Sequence, residues 1–127
     1  MELADGNRLD LARLEELREL GLAADGTSYL DRAIGHFLEA IDGQVAAMQQ
    51  AARAEDTARL RSTAHKAAGA ALNLGLTELG EALRTVEELV VRGALGEAGA
   101  ALADLARTLP ADVEALEGYR RRQLSTP

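Results

Sequence analysis

The sequence contains no cysteine, which excludes disulfide bonds and thiolate chemistry and fits a reducing compartment. It has no tryptophan, aromatic residues make up 2%, and only two prolines occur in 127 residues. Strands favour aromatic and β-branched side chains, whereas the alanine and leucine that dominate here favour helices. The composition therefore predicts an all-α protein, and the length predicts a single domain over residues 1–127.

Long apolar runs and excess positive charge are also missing. No run approaches the roughly 18 residues needed to cross a bilayer, and the N-terminal residues lack the basic-then-apolar plan of a signal peptide. We therefore expect a cytoplasmic protein that does not bind membranes. The 14 Lys and Arg residues are outnumbered by 21 Asp and Glu residues, which gives a net charge of −7. Such a chain is poorly suited to nucleic-acid phosphates, so we expect no nucleic acid as a partner.

Apolar residues recur at spacings of three and four, which predicts amphipathic helices. The apolar stripes run over Leu9–Leu20, Leu30–Met48, Leu60–Leu74, Leu79–Val90 and Leu95–Leu109, and Val113, Leu116 and Tyr119 form a last one. The expected helix boundaries are N-caps at Asn7, Ser28 and Thr77, a restart at Glu55-Asp56, stops at Gly75 and Gly93, and a break at Pro110.

Helices with one apolar stripe each and short connections pack as an antiparallel bundle. We expect an up-and-down four-helix bundle with short flanking N- and C-terminal helices. Its core would cover about residues 8–109, and the C-terminal helical extension would cover 110–124. Because no apolar stripe is left over once the bundle is built, we expect a monomer.

His65 lies in the alanine-rich third helix, and its position on that helix predicts exposure. Each helical residue advances by about 100°, which puts His65 roughly 140° from the centre of the apolar stripe. Gly69 lies one turn further on the same face, where a glycine costs about 1 kcal/mol relative to alanine. Close approach by another molecule explains such a glycine. The expected docking residues around His65 are Ala58, Ser62, Ala68, Gly69 and Leu72.

The other histidine, His36, lies outside the stripe of its own helix, and no motif surrounds it. We expect it to be an ordinary surface residue. Neither histidine has the Glu and His spacing that builds a metal site inside a helical bundle. We therefore expect no metal site.

The pattern His65-x-x-x-Gly69-Ala70-Ala71-x-Asn73-Leu74-Gly75, followed by Leu79 and the Val86-Glu87 pair, resembles the histidine-containing phosphotransfer (HPt) domain. The usual core of that family reads His-x-Leu-Lys-Gly-Ser-Ala-x-Asn-Leu-Gly. The resemblance covers about residues 8–109. It implies an antiparallel four-helix bundle of bacterial two-component phosphorelays with His65 exposed on one core helix. Gly69, by the same resemblance, would let a partner's loops approach.

The resemblance also implies a reaction and a partner. His65 would accept a phosphoryl group from the aspartyl phosphate of a receiver domain, in a hybrid histidine kinase or a response regulator, and relay it to another receiver. Unperturbed imidazole has a pKa of about 6.5, so its neutral, nucleophilic form is well populated near pH 7. Nε2 is the expected attacking atom, with Nδ1 held by a hydrogen bond or by water.

The chain shows no nucleotide-binding motif and no cluster of carboxylates beside His65 in the sequence. We therefore expect a phosphorelay intermediate rather than an independent enzyme, without ATP-dependent kinase activity. It would need no cofactor of its own, and Mg²⁺ would be bound by the receiver.

One departure from the family pattern concerns charge. The family has lysine three residues after the histidine, where this chain has Ala68. Lys66 and Arg61 are the candidates to stabilise the phosphoryl group instead. The departure also leaves open an alternative function, a non-catalytic HPt-like docking module that binds a receiver domain without phosphotransfer.

Overall fold

The computed structural model describes residues 8–22, 26 and 28–123. Its helices are α1 (Leu11–Arg18), α2 (Tyr29–Arg53), α3 (Thr57–Asn73), α4 (Thr77–Val91) and α5 (Leu95–Gln123). Over these described ranges the chain forms no strand, and the only β-type pairing is an isolated bridge between Leu22 and Ser28. The predicted all-α class is confirmed.

The four longer helices enclose one hydrophobic core. Helix α3 packs against α4, α4 against α5, and α2 against both α3 and α5, while α1 packs on α2. The side chains on the predicted stripes of α2, α3 and α4 are buried, because each stripe faces the neighbouring helices. Fully buried examples are Leu14, Leu30, Ile34, Ile41, Met48, Leu60, Leu76, Leu83, Val86, Leu102 and Leu116.

Side-chain caps begin three of the helices. Ser28 was predicted as the cap of α2, and its Oγ accepts a hydrogen bond from the backbone N–H of Asp31 at 3.2 Å. Asp56 caps α3 in the same way, and Asp10 caps α1. Asn7, the predicted cap of the first helix, lies outside the described residues.

The predicted cap of α4 at Thr77 is wrong. Thr77 is the first residue of the helix, and Leu76 occupies the cap position without a side-chain hydrogen bond. Leu76 is fully buried there. Its burial in the core, worth about 1.5–3 kcal/mol, exceeds the roughly 1 kcal/mol that a polar cap supplies.

Gly75 ends α3 and is also the place where the N-terminal segment is fastened. Its φ of +77° is in the left-handed region that glycine favours. Its carbonyl accepts a hydrogen bond of 2.7 Å from the backbone N–H of Asp10. The Arg13 guanidinium donates to the carbonyl oxygen of Asn73 at 3.0 Å and to its Oδ1 at 2.7 Å. These four residues, Asp10, Arg13, Asn73 and Gly75, form what we call the N-terminal anchor.

The expected break at Pro110 is wrong, and so is the separate C-terminal helix over 110–124. Pro110 lies inside α5, which continues to Gln123. A proline within a helix costs about 3 kcal/mol because it removes a hydrogen bond and crowds the preceding turn. Beyond it, Leu116 and Tyr119 are buried in the core on the same face as Leu109. Burial of such side chains contributes about 1.5–3 kcal/mol each, so packing outweighs the proline.

Asp112 is a charged residue inside this packed region, with 2% of its surface exposed. Its Oδ1 accepts a hydrogen bond of 3.1 Å from the Arg8 guanidinium. Burial raises the pKa of Asp112, and the Arg8 charge and hydrogen bond oppose that rise only in part. The pair joins the segment before α1 to α5.

Candidate functional site

The predicted exposure of His65 is confirmed. Its side chain is 74% exposed. On either side of it in the sequence, Ala64 and Ala67 are fully buried, since they lie on the stripe that α3 turns toward the core. The imidazole therefore stands out from the middle of a helix whose opposite face is fixed by packing.

Glu87 on α4 is the partner of this imidazole. Its Oε2 lies 3.0 Å from Nδ1 of His65, and its Oε1 lies 3.3 Å from the same atom. An ionised carboxylate can only accept hydrogen bonds, so this contact selects the tautomer that carries its proton on Nδ1. The lone pair is then on Nε2. Glu87 is held more firmly than the ring, because its side chain is only 19% exposed.

Glu87 was not among the predicted site residues, which all lie on α3 near His65 in the sequence. The two residues are 22 positions apart, and the fold brings them together. A signal for the pair existed: the short turn between α3 and α4 is centred near Leu76, and both residues lie eleven positions from it. In an antiparallel helical hairpin, residues equally far from the turn lie side by side.

An open depression of about 230 Å³ lies in front of the imidazole, lined by Arg61, Ser62, His65, Lys66 and Glu87. Arg61 and Lys66 are both exposed, and both line this depression beside the imidazole. The structure thus brings together both predicted phosphoryl-stabilising candidates and one predicted docking residue, Ser62.

The other predicted docking residues differ in exposure. Ala58 and Gly69 are exposed. The prediction for Ala68 is wrong, because it is 2% exposed and lies on the buried side of α3. Leu72 is half-buried instead of exposed. A Cβ built on Gly80 of α4 would lie 2.4 Å from Cδ2 of Leu72, which means that Leu72 packs on the backbone of α4 where it has no side chain.

Gly69 contrasts with Gly80. In the part of the chain that the structure describes, no atom outside its own helix turn lies within 4 Å of a Cβ built on Gly69. The fold itself therefore gives no reason for a glycine at this position.

Two negative findings apply to the described residues. No three side chains of His, Asp or Glu converge there in a way that could hold a metal ion. None of the helices in those same ranges is long and apolar enough to cross a membrane.

His36 is exposed, as predicted for a surface residue.

The fold and the site together define a class of protein, a helical bundle that presents an exposed imidazole, paired with a carboxylate, beside an open surface depression. The comparison with protein families gives the particular family: the model of the Hpt domain matches residues 32–119. This match covers more than two thirds of the chain, and the chain belongs to the Hpt domain family. No curated protein and no solved structure matches the chain.

Membership of this family implies a function related to phosphotransfer in phosphorelays, in which Hpt domains interact with receiver domains. The resemblance seen in the sequence is thereby confirmed. The match also extends past residue 109, which agrees with the burial of Leu116 and Tyr119 in the same core.

Proposed function

We propose that the four longer helices form an antiparallel up-and-down bundle in which His65 is the phospho-acceptor of a phosphorelay. His65 takes the phosphoryl group from the aspartyl phosphate of one receiver domain and passes it to the aspartate of a response regulator. The observation that carries the proposal is the contact of 3.0 Å between Nδ1 of His65 and the Glu87 carboxylate. In the neutral ring this contact leaves the lone pair on Nε2, the nitrogen that does not contact Glu87.

Transfer of the phosphoryl group to Nε2 requires neither an oxidant nor a general base. The lone pair of Nε2 attacks phosphorus, the P–N bond forms, and the bond from phosphorus to the aspartyl oxygen breaks, which releases the carboxylate. The ring becomes a phosphoimidazolium, whose positive charge is shared by Nδ1–H. Glu87 stabilises that charge through the hydrogen bond it already makes. Onward transfer reverses these bond changes at a second aspartate.

Charge on the transferring oxygens must be compensated from both proteins. Arg61 and Lys66 line the depression in front of His65 and supply positive charge from this chain. The receiver supplies the acceptor or donor aspartate and binds the Mg²⁺. Among the described residues, Glu87 is the one carboxylate that contacts the imidazole, which agrees with this division of roles.

Gly69 fits the same proposal, because no neighbouring atom of the fold requires a glycine at that position. We expect Gly69→Ala to stabilise the fold by about 0.5–1 kcal/mol and to slow transfer from a receiver. Gly43 in α2 has equally open space around it and serves as the matched control. Its alanine variant should gain similar stability and leave the transfer rate unchanged.

The direct test is phosphoryl transfer from a phosphorylated receiver to the purified protein, with wild type and His65→Gln compared. We expect acid-labile, base-stable label on the wild type and none on the variant, with circular dichroism showing that both are folded. Label on His65→Gln would contradict the proposal. Receiver binding without any label on the wild type would favour the docking-module alternative.

Glu87 is tested separately as a positioning residue. Glu87→Ala should slow transfer and lower the fraction of His65 in the Nδ1–H tautomer, measured by ¹⁵N chemical shifts. Glu87→Gln should restore part of both, because its amide oxygen can still accept the hydrogen bond. Glu81→Ala, at another exposed position of α4, is the control and should change neither. An unchanged tautomer in Glu87→Ala would refute this role.

A further inference from the structure

The register between α3 and α4 can be read from two contacts. His65 meets Glu87, and Leu72 meets the backbone at Gly80. From the first pair to the second, the numbering rises by seven on α3 and falls by seven on α4. The two helices therefore run in opposite directions with a fixed alignment. One turn beyond the His65–Glu87 pair, at four residues on each helix, the same alignment places Arg61 beside Val91.

Val91 is unusual at that position. It is an apolar side chain with 63% of its surface exposed, at the last residue of α4. It lines an open depression with Glu87, Glu88 and Arg92. Since Glu87 also lines the depression in front of His65, the two hollows adjoin. An exposed apolar residue thus lines the depression next to the one that contains His65. The other large apolar side chains that are exposed among the described residues are Leu11, Leu20, Leu22 and Tyr29, on or near α1 and at the start of α2.

Helix α3 also differs from the rest of the chain in charge. Between residues 57 and 73 it has Arg59, Arg61 and Lys66 and no acidic residue, although the whole chain carries a net charge of −7. A protein that carries an aspartyl phosphate and holds Mg²⁺ through carboxylates must present negative charge at that site. The positive helix is complementary to such a surface, and complementarity of this kind steers association.

We propose that Val91 and Arg61 extend the docking surface of His65 along the α3–α4 hairpin, and that the partner is a receiver domain with an apolar contact residue next to an acidic phosphorylation site. Val91 packs against that apolar residue of the receiver, and Arg61 faces the carboxylates of the receiver's phosphorylation site. This proposal rests on the proposed phosphotransfer function, since that function supplies the partner. Val91 sets affinity for the receiver and takes no part in bond formation at Nε2, whereas Arg61 also lies beside the transferring oxygens.

The test compares Val91→Gln with Leu20→Gln. Both wild-type side chains are 63% exposed. Leu20 follows α1, at the opposite end of the hairpin from Val91. The probe is the receiver domain that binds the wild type most tightly in a panel loaded with beryllofluoride, and the same receiver charged with acetyl phosphate serves as phosphodonor. Its affinity for each variant is measured by titration of the beryllofluoride-loaded receiver, and its transfer rate by rapid quench. Phosphoramidate, a small phosphodonor that needs no docking surface, measures the intrinsic reactivity of His65.

We expect Val91→Gln to weaken receiver affinity and lower kcat/KM about tenfold, as loss of one buried aliphatic contact does. Val91→Ile should retain both, and Leu20→Gln should match the wild type. Labelling by phosphoramidate should be equal in all four proteins. Arg61→Gln should weaken binding and make it less sensitive to salt.

Two results would overturn the proposal. One is wild-type receiver affinity in Val91→Gln, and the other is an equal loss in Leu20→Gln. Failure of the phosphotransfer function gives a different result, because a wild type that binds the receiver without accepting phosphate leaves the affinity comparison intact.

Discussion

Replacement of Gly80 by alanine tests the packing that aligns α3 and α4. An added Cβ would lie 2.4 Å from Cδ2 and 2.5 Å from Cγ of Leu72, and 3.4 Å from its backbone nitrogen. The first two distances are far inside van der Waals contact. Either Leu72 must change its rotamer or the two helices must separate.

Two opposing contributions decide the sign of the effect. Alanine in place of glycine within a helix gains about 0.5–1 kcal/mol. Overpacking of a filled contact costs about 1–3 kcal/mol. We therefore expect Gly80→Ala to lower the free energy of unfolding by about 1 kcal/mol. For a chain of this length the melting temperature should fall by about 3–5 °C.

A double-mutant cycle with Leu72→Ala isolates the contact. Once the leucine side chain is removed, the new Cβ at position 80 has free space, so the second substitution should stabilise the protein by about 0.5–1 kcal/mol. Urea unfolding followed by circular dichroism measures all four proteins. Gly69→Ala provides the scale, because only the gain applies at that exposed position.

Stabilisation of the Gly80→Ala protein by the same amount as Gly69→Ala would refute this reasoning. So would additivity of the two changes in the cycle. In either case Leu72 would not be fixed against α4, and the register that places Glu87 beside His65 would need another cause.

Two other predictions concern the N-terminal segment and α5. Gly75→Ala places a Cβ 2.9 Å from the carbonyl oxygen of Asp10 at a positive φ. It should therefore lose about 1–2 kcal/mol for the left-handed backbone and more for the clash. Gly93 has a φ of +80° and open space around it, so urea unfolding of Gly93→Ala should show only the loss from the left-handed backbone. Equal losses of stability in Gly75→Ala and Gly93→Ala would contradict the N-terminal anchor. Burial raises the pKa of Asp112 above 3.8, so the folded state holds that proton more tightly than the unfolded state. The free energy of unfolding of the wild type relative to Asp112→Asn should therefore be greatest below pH 3.8 and should fall as the pH rises through the raised pKa. If that difference in free energy does not vary with pH, the reasoning is wrong.

Local patterns in the sequence predicted much of the fold. The stripes of α2, α3 and α4 were recognisable because a single helix repeats every 3.6 residues, whatever it packs against. Ser28 and Gly75 were recognisable because a cap and a left-handed residue act within one turn. The exposure of His65 follows from the same local geometry.

Features that depend on two helices were harder to predict. The contact of Glu87 with His65 requires the register of the α3–α4 hairpin, which a wheel drawn for one helix does not contain. The same wheel misjudged Ala68, because the width of a buried face depends on how closely the next helix approaches. Pro110 was misread for a related reason: its local cost is outweighed by Leu116 and Tyr119, which reach the core beyond it.

The His65–Glu87 pair is contained within one hairpin, and its two members are 22 positions apart in the sequence. A short separation in sequence means that little chain entropy is lost when the pair forms. The chemical site is therefore separable from the scaffold that carries it, since α2 and α5 hold the hairpin without contributing a side chain to the imidazole pair. Substitutions in those two helices can change thermal stability while the reactivity of His65 stays constant. A hairpin exchanged as a unit between related bundles would carry His65, Glu87 and the surface around them together.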